Sequence, residues 1–245
     1  MTSESIEADQ PPPCLLYLIS PPRIPDLDAF ASSLEYALSA GGVGAFQLRL
    51  KNTEMALNGR LTYPRESEAA VLRAAEVLIP ICREHNVAFI LNDDPKLAAD
   101  CGADGVHLGQ EDGGVKAARA LLGEQAVIGV SCHDSRHLAM EAGEEGAEYV
   151  AFGAFYPTTS KTEAAQKKWG TPPVEILNWW TELTTLPCVA IGGITPSNCA
   201  PLVAAGADFI AAITYVWHHE KGAKAAVQEF NQAIESALAS RRASC

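Results

Sequence analysis

A chain of 245 residues, 48% apolar and 20% charged, can bury one large core, and an α/β barrel commonly fills this length alone. Its net charge of −12 excludes non-specific attraction to nucleic acid or to an anionic membrane surface. Any anionic substrate must therefore be held by a local group of cations working against the overall field.

Residues 1–13 are acidic and proline-rich, unlike a secretory signal or an Arg-rich transit peptide. They read as a disordered tail ahead of a single domain over residues 14–240. Short apolar runs then recur at Leu15–Ile19, Ala45–Leu50, Ala88–Leu91, Gly105–Leu108, Val127–Val130, Tyr149–Phe152, Cys188–Ile191 and Phe209–Ile213. Runs that are continuously apolar predict strands buried on both faces, as in a parallel sheet covered by helices. Helical spacing with few breakers lies between them, as in Ser67–His85, His133–Gly143 and Pro196–Ala205. Cys101-Gly102-Ala103-Asp104, Glu144-Glu145-Gly146-Ala147 and Ala205-Gly206-Ala207-Asp208 each place a glycine where a helix closes ahead of the next strand.

Strands alternating with helices in this way predict a single (β/α)₈ TIM barrel, with a doubly wound open sheet as the alternative. The long intervals 51–65 and 153–173 follow the second and sixth strands, so in a barrel both lie on the face that carries active sites. The seven cysteines form no CxxC pair and no metal-ligand spacing, and their scatter through apolar stretches suits a reduced cytosol, hence a cytoplasmic protein. No apolar run approaches the roughly 20 residues that span a bilayer.

In a barrel the chemistry is written just after each strand. Strand two ends in Gln47-Leu48-Arg49-Leu50-Lys51, whose alternation sends Gln47, Arg49 and Lys51 to one side. Cations facing inward need a partner, either a bound anion or a salt bridge to nearby carboxylates. Strand three ends in Asn92-Asp93-Asp94 and strand four leads into His107, Gln110 and Asp112. This is either a set of turns and helix caps or an oxygen-rich site for a hard cation such as Mg²⁺, for which Asp93 and Asp112 are the candidates. His107, within a strand, reads as a hydrogen-bonded core histidine.

Ser131, after strand five, can donate to a phosphate or cap the next helix. Thr158-Thr159-Ser160-Lys161, after strand six, offers phosphate donors or is simply a polar loop; it lacks P-loop spacing. Gly192-Gly193, after strand seven, sits where barrels hold phosphate on backbone N–H groups. One metal-assisted and one metal-free phosphate region imply two phosphorylated small-molecule substrates, or one with two phosphates.

The Gln47-x-Arg49-x-Lys51 strand end, Asn92-Asp93, ADGVHLGQED over 103–112, Gly129-Val130-Ser131, Pro157-Thr158-Thr159-Ser160-Lys161 and AIGGIT over 190–195 resemble the thiamine-phosphate synthase family. The resemblance runs from about Leu15 to the C-terminal helix. It implies a (β/α)₈ barrel that joins hydroxymethylpyrimidine diphosphate to a thiazole phosphate and releases pyrophosphate. It also implies that Gln47, Arg49, Lys51 and Asn92 hold the pyrimidine diphosphate and that Asp93 and Asp112 bind its Mg²⁺. Ser131 and Lys161 would contact the pyrophosphate or the pyrimidine amine, and Thr158, Ser160, Gly193 and Thr214 the thiazole phosphate.

The chain departs from the family at Leu50, where many relatives carry an acid, and at Ala211-Ala212-Ile213-Thr214-Tyr215, where Tyr215 adds bulk to the thiazole phosphate turn. Two other readings share the barrel. A thiazole tautomerase-like paralogue would not need the charged cluster, and a non-catalytic barrel would bind thiamine phosphate or thiazole phosphate without turnover. The sequence leaves open the oligomeric state, a homo-oligomer included.

Overall fold

The computed structural model describes residues 14–51, 56–57, 60–61, 67–158 and 170–243. The proposed tail, Ser160 and Lys161 lie outside these residues. Parallel strands β1 (Leu15–Ile19), β2 (Val43–Leu48), β3 (Ala88–Asn92), β4 (Gly105–Leu108), β5 (Val127–His133), β6 (Tyr149–Gly153), β7 (Cys188–Ile191) and β8 (Phe209–Ala212) pair in chain order. The barrel closes through β1 and β8, with Leu15 opposite Phe209 and Leu18 opposite Ala212. This is the expected (β/α)₈ barrel.

Helices α1 (Leu27–Leu38), α2 (Glu68–Glu84), α3 (Pro95–Cys101), α4 (Val115–Leu122), α5 (Arg136–Glu144), α6 (Glu175–Leu183), α7 (Ala200–Ala204), α8 (Thr214–Trp217) and α9 (Ala223–Ala243) join or follow the strands. A short antiparallel pair, Ala56–Leu57 with Arg60–Leu61, occupies the interval after β2.

Strands buried on both faces produce two cores. The larger lies between barrel and helices and includes Leu16, Leu18, Phe46, Phe89, Phe152 and Trp180. The smaller fills the barrel interior with Tyr17, Ile19, Ile90, Tyr149, Ala151, Val189 and Ala211. The helix starts follow side-chain chemistry: Asp26, Ser67, Asp94 and Ser135 each accept a backbone N–H of the first turn of α1, α2, α3 and α5.

The opposite end of the barrel is tied by one device used three times. The acid just before β4, β6 or β8 accepts the N–H at the start of the preceding strand: Asp104 from Phe89, Glu148 from Ile128, and Asp208 from Cys188, at 2.7, 2.7 and 2.8 Å. Arg119 reinforces the middle pair, bonding Glu148 and the carbonyls of Ala126 and Gly146.

Some element bounds differ from those expected. β2 stops at Leu48, because Arg49 N–H turns to the Ser20 hydroxyl and Lys51 N–H to the Pro22 carbonyl instead of the ladder. β5 continues to His133 through a register shift between Ser131 and His133. Ser131 is thus a strand residue, and Ser135 caps the next helix. The helix expected over Pro196–Ala205 is confined to α7, since a turn in which Asn198 bonds Thr195 and Gly193 comes first.

Candidate active site

At the C-terminal mouth of the barrel is a cavity of about 200 Å³, to which every strand or the loop after it contributes. Gln47, Arg49 and Lys51 reach it from the β2 end, Asn92 and Asp93 from β3, His107 and Gly109 from β4, and Ser131 and His133 from β5. Ala151, Val189, Ile191, Ala211 and Ile213 form an apolar wall from β6 to β8. The alternation expected at β2 holds: Gln47, Arg49 and Lys51 face the cavity while Leu48 is buried in the outer core. A wider groove of about 670 Å³, lined partly by Arg23, Asp26, Leu50 and Arg73, brings none of the predicted site residues together.

The acidic edge divides by residue. Asp94 is a helix cap, its carboxylate accepting Lys96 and Leu97 N–H, both at 3.1 Å. Asp93 has a φ of 69°, in the left-handed region that non-glycine residues seldom enter, with its N–H bonded to the His107 carbonyl. That backbone turns its carboxylate to the cavity, where it pairs with the Lys51 ammonium. The salt bridge that the sequence left open thus forms. Asp112 folds back onto the N–H of Gly109, 2.8 Å away, and Gly109 lines the same cavity as Asp93.

Carboxylate oxygens fit a hard divalent cation; Asp93 lines the mouth, and Asp112 is bonded to Gly109, which lines it. Among the described residues no three His, Cys, Asp or Glu side chains are grouped to cage a metal. Two carboxylates with substrate oxygens completing the shell is the arrangement Mg²⁺ takes.

Below the mouth lies a polar line through the barrel interior. Gln47 Nε2 donates to the Tyr17 hydroxyl at 3.0 Å, and the Tyr17 and Tyr149 hydroxyls are 2.7 Å apart. His107 Nδ1 is 2.9 Å from the Tyr149 hydroxyl, and its Nε2 is 2.8 Å from Ser131 Oγ. His107 is therefore the hydrogen-bonded buried histidine expected, with its ring stacked on Tyr149. Gly129 makes room for this, because a Cβ there would overlap the Tyr149 ring. Tyr17 and Tyr149 were not foreseen as site residues. Their signal was a phenol at an inward position of two otherwise apolar strands.

The remaining predicted residues lie on the loops after β6, β7 and β8. The Thr158 loop packs against Gly193: with φ of 62°, Gly193 would collide with the Pro157 carbonyl if it carried a Cβ. Tyr156 hydroxyl holds the Asn198 carbonyl at 2.8 Å, and Asn198 bonds the Gly193 carbonyl. Thr158, Gly193 and Thr214 are not among the cavity-lining residues described, and Thr214 is exposed at the start of α8. Tyr215 does not fill the mouth. Its hydroxyl donates to Glu229 at 2.5 Å and its ring packs edge-on against Phe230.

A family model described as thiamine monophosphate synthase matches residues 16–216. The chain belongs to the thiamine monophosphate synthase family. Membership makes it an enzyme of thiamine biosynthesis and a transferase. A thiamine-phosphate synthase of Rhodospirillum centenum is 52% identical over 221 residues, covering 90% of this chain and 98% of that protein. One of Hyphomonas neptunium is 52% identical over 223 residues, covering 90% and 94%. Among solved structures, a thiamine phosphate pyrophosphorylase from Pyrococcus furiosus superposes with a TM-score of 0.74 at 28% identity, covering 92% of this chain and 97% of its own. Among the described residues, no helix of this family member is long and apolar enough to cross a membrane.

Proposed function

We propose that the chain joins hydroxymethylpyrimidine diphosphate to a thiazole phosphate and releases pyrophosphate, by a Mg²⁺-assisted dissociative substitution. The observation that carries this reading is the convergence of Gln47, Arg49, Lys51, Asn92, Asp93 and Ser131 on one cavity, in a chain about half identical to proteins named for that activity.

Arg49, Lys51 and Asn92 bind the diphosphate, and Gln47 and Ser131 face the pyrimidine. As the C–O bond to pyrophosphate breaks, the electron pair leaves with the oxygen, and Arg49 and Lys51 hold the negative charge that builds there. The positive charge left on the exocyclic carbon spreads into the electron-rich aminopyrimidine. The thiazole nitrogen then captures it with a free lone pair, so no nucleophile–base pair is required. The apolar wall of Ala151, Val189, Ile191, Ala211 and Ile213 keeps out water that would otherwise trap the cation.

Asp93 and Asp112 would hold Mg²⁺, which supplies Lewis-acid neutralisation of the diphosphate when bound. Lys161 would contact the pyrophosphate or the pyrimidine amine, and Thr158, Ser160, Gly193 and Thr214 would hold the thiazole phosphate.

Calorimetric titration of the pyrimidine diphosphate tests the reading. Binding in Mg²⁺ should weaken roughly tenfold or more when the metal is chelated. No binding of the pyrimidine diphosphate alongside normal binding of thiazole phosphate would replace the synthase with a barrel that only binds thiazole phosphate.

A further inference from the structure

Five side chains from five strands form one hydrogen-bonded line, Gln47–Tyr17–Tyr149–His107–Ser131. All but its Ser131 end is buried: Gln47, Tyr17, Tyr149 and His107 are 2%, 3%, 6% and 8% exposed, at the floor of the cavity that all five line. A hydroxyl has one proton to give, and a neutral imidazole has one donor and one acceptor nitrogen. A hydroxyl can also accept twice, so it is the need of each buried proton for an acceptor that makes the bonds of such a line reverse together.

With the Gln47 amide nitrogen donating to Tyr17, the buried Tyr17 proton finds its acceptor in Tyr149, and the Tyr149 proton finds its own in Nδ1 of a neutral His107. Nε2–H then donates to Ser131 Oγ, which turns the Ser131 proton to the cavity as a donor and leaves the Gln47 carbonyl oxygen to accept. Turning the amide over inverts both ends together. Burial raises the titration of both phenols, so each keeps its proton.

We propose that Tyr17, Tyr149 and His107 are positioning residues that force Gln47 and Ser131 to show opposite hydrogen-bonding polarity to the substrate ring, one donating and the other accepting. This deepens the synthase reading and rests on it. An aminopyrimidine has the matching pair, because its ring nitrogens accept and its amine donates. A ring of the same shape without the amine satisfies one end only, and a coupled pair cannot adapt to it as two independent rotors would.

Tyr149→Phe keeps the ring and removes both central bonds. Its kinetics would be measured with the pyrimidine diphosphate and with the 4-deamino analogue, each alongside thiazole phosphate. The wild-type preference for the amino form, roughly a hundredfold or more, should fall about tenfold in the variant, with the KM for thiazole phosphate unmoved.

Nitrogen-15 spectra of His107 should show one neutral tautomer, protonated at Nε2, in the wild type and a mixture in the variant. Tyr17→Phe, which cuts Gln47 from the line, should lower the same preference and serves if Tyr149→Phe does not fold. An unchanged preference in both variants would overturn the inference. So would KM values for both substrates rising together with a lower melting temperature. A wild-type protein that forms no product with either pyrimidine would overturn the synthase reading, and this inference with it.

Discussion

Asp93 and Asp94 stand side by side at the end of β3, and the backbone separates what each can do. Asp94 caps α3, so Asp94→Ala should cost about 1 kcal/mol of stability while leaving turnover per folded molecule unchanged. Asp93 sits at a φ of 69°, which alanine tolerates poorly but asparagine accepts, so Asp93→Asn isolates the charge from the backbone. That variant should melt close to the wild type and lose roughly a hundredfold or more in kcat/KM. A fall in melting temperature with unchanged kinetics would make Asp93 a structural residue. Asp93, with Gln47, Arg49 and Lys51, stood out in the sequence as polar residues ending an apolar run, but whether Asp93 or Asp94 was the helix cap depended on backbone conformation. The relay was not legible, because the Tyr17–Tyr149 bond joins residues 132 apart and an inward tyrosine looks like any strand aromatic.

At the scale of elements, the carboxylates of Asp104, Glu148 and Asp208 close the barrel opposite the site by capping strand starts. The Gly-Ala-Asp pattern announced two of these positions, but only as helix ends, since which strand N–H each acid meets depends on closure. Burial, the largest influence on Asp208, raises its titration above the ordinary 3.8. A raised folded value means that its contribution to stability is complete below 3.8 and lost as pH rises through the higher value. Urea unfolding of the wild type relative to Asp208→Asn should therefore show falling stability over that window and a plateau above it. Parallel curves would show that this carboxylate is not penalised by burial. Strand cores were predictable from continuous apolar runs. Strand ends were less so: at β2 the Ser20 hydroxyl and the Pro22 carbonyl replace ladder partners, and at β5 the register shifts.

Across the whole molecule, a chain of net charge −12 gathers Arg49 and Lys51 at the one mouth where it also places Asp93. Burial raises the thiols of Cys14, Cys82 and Cys132 to about 12, so these cysteines act as small apolar residues and leave the chemistry to the barrel mouth. Alternation of strand and helix was enough to place the site at one end of the barrel, because closure brings all eight strand ends together. The apparent obstacle in the sequence, Tyr215, disappears with the fold, since its ring turns to Phe230 and its hydroxyl to Glu229. The most direct test is turnover by the purified protein supplied with pyrimidine diphosphate, thiazole phosphate and Mg²⁺. Thiamine phosphate and pyrophosphate should form in equal amounts, and chelation should stop both. Absence of product at every thiazole phosphate concentration, from a folded protein, would contradict the account.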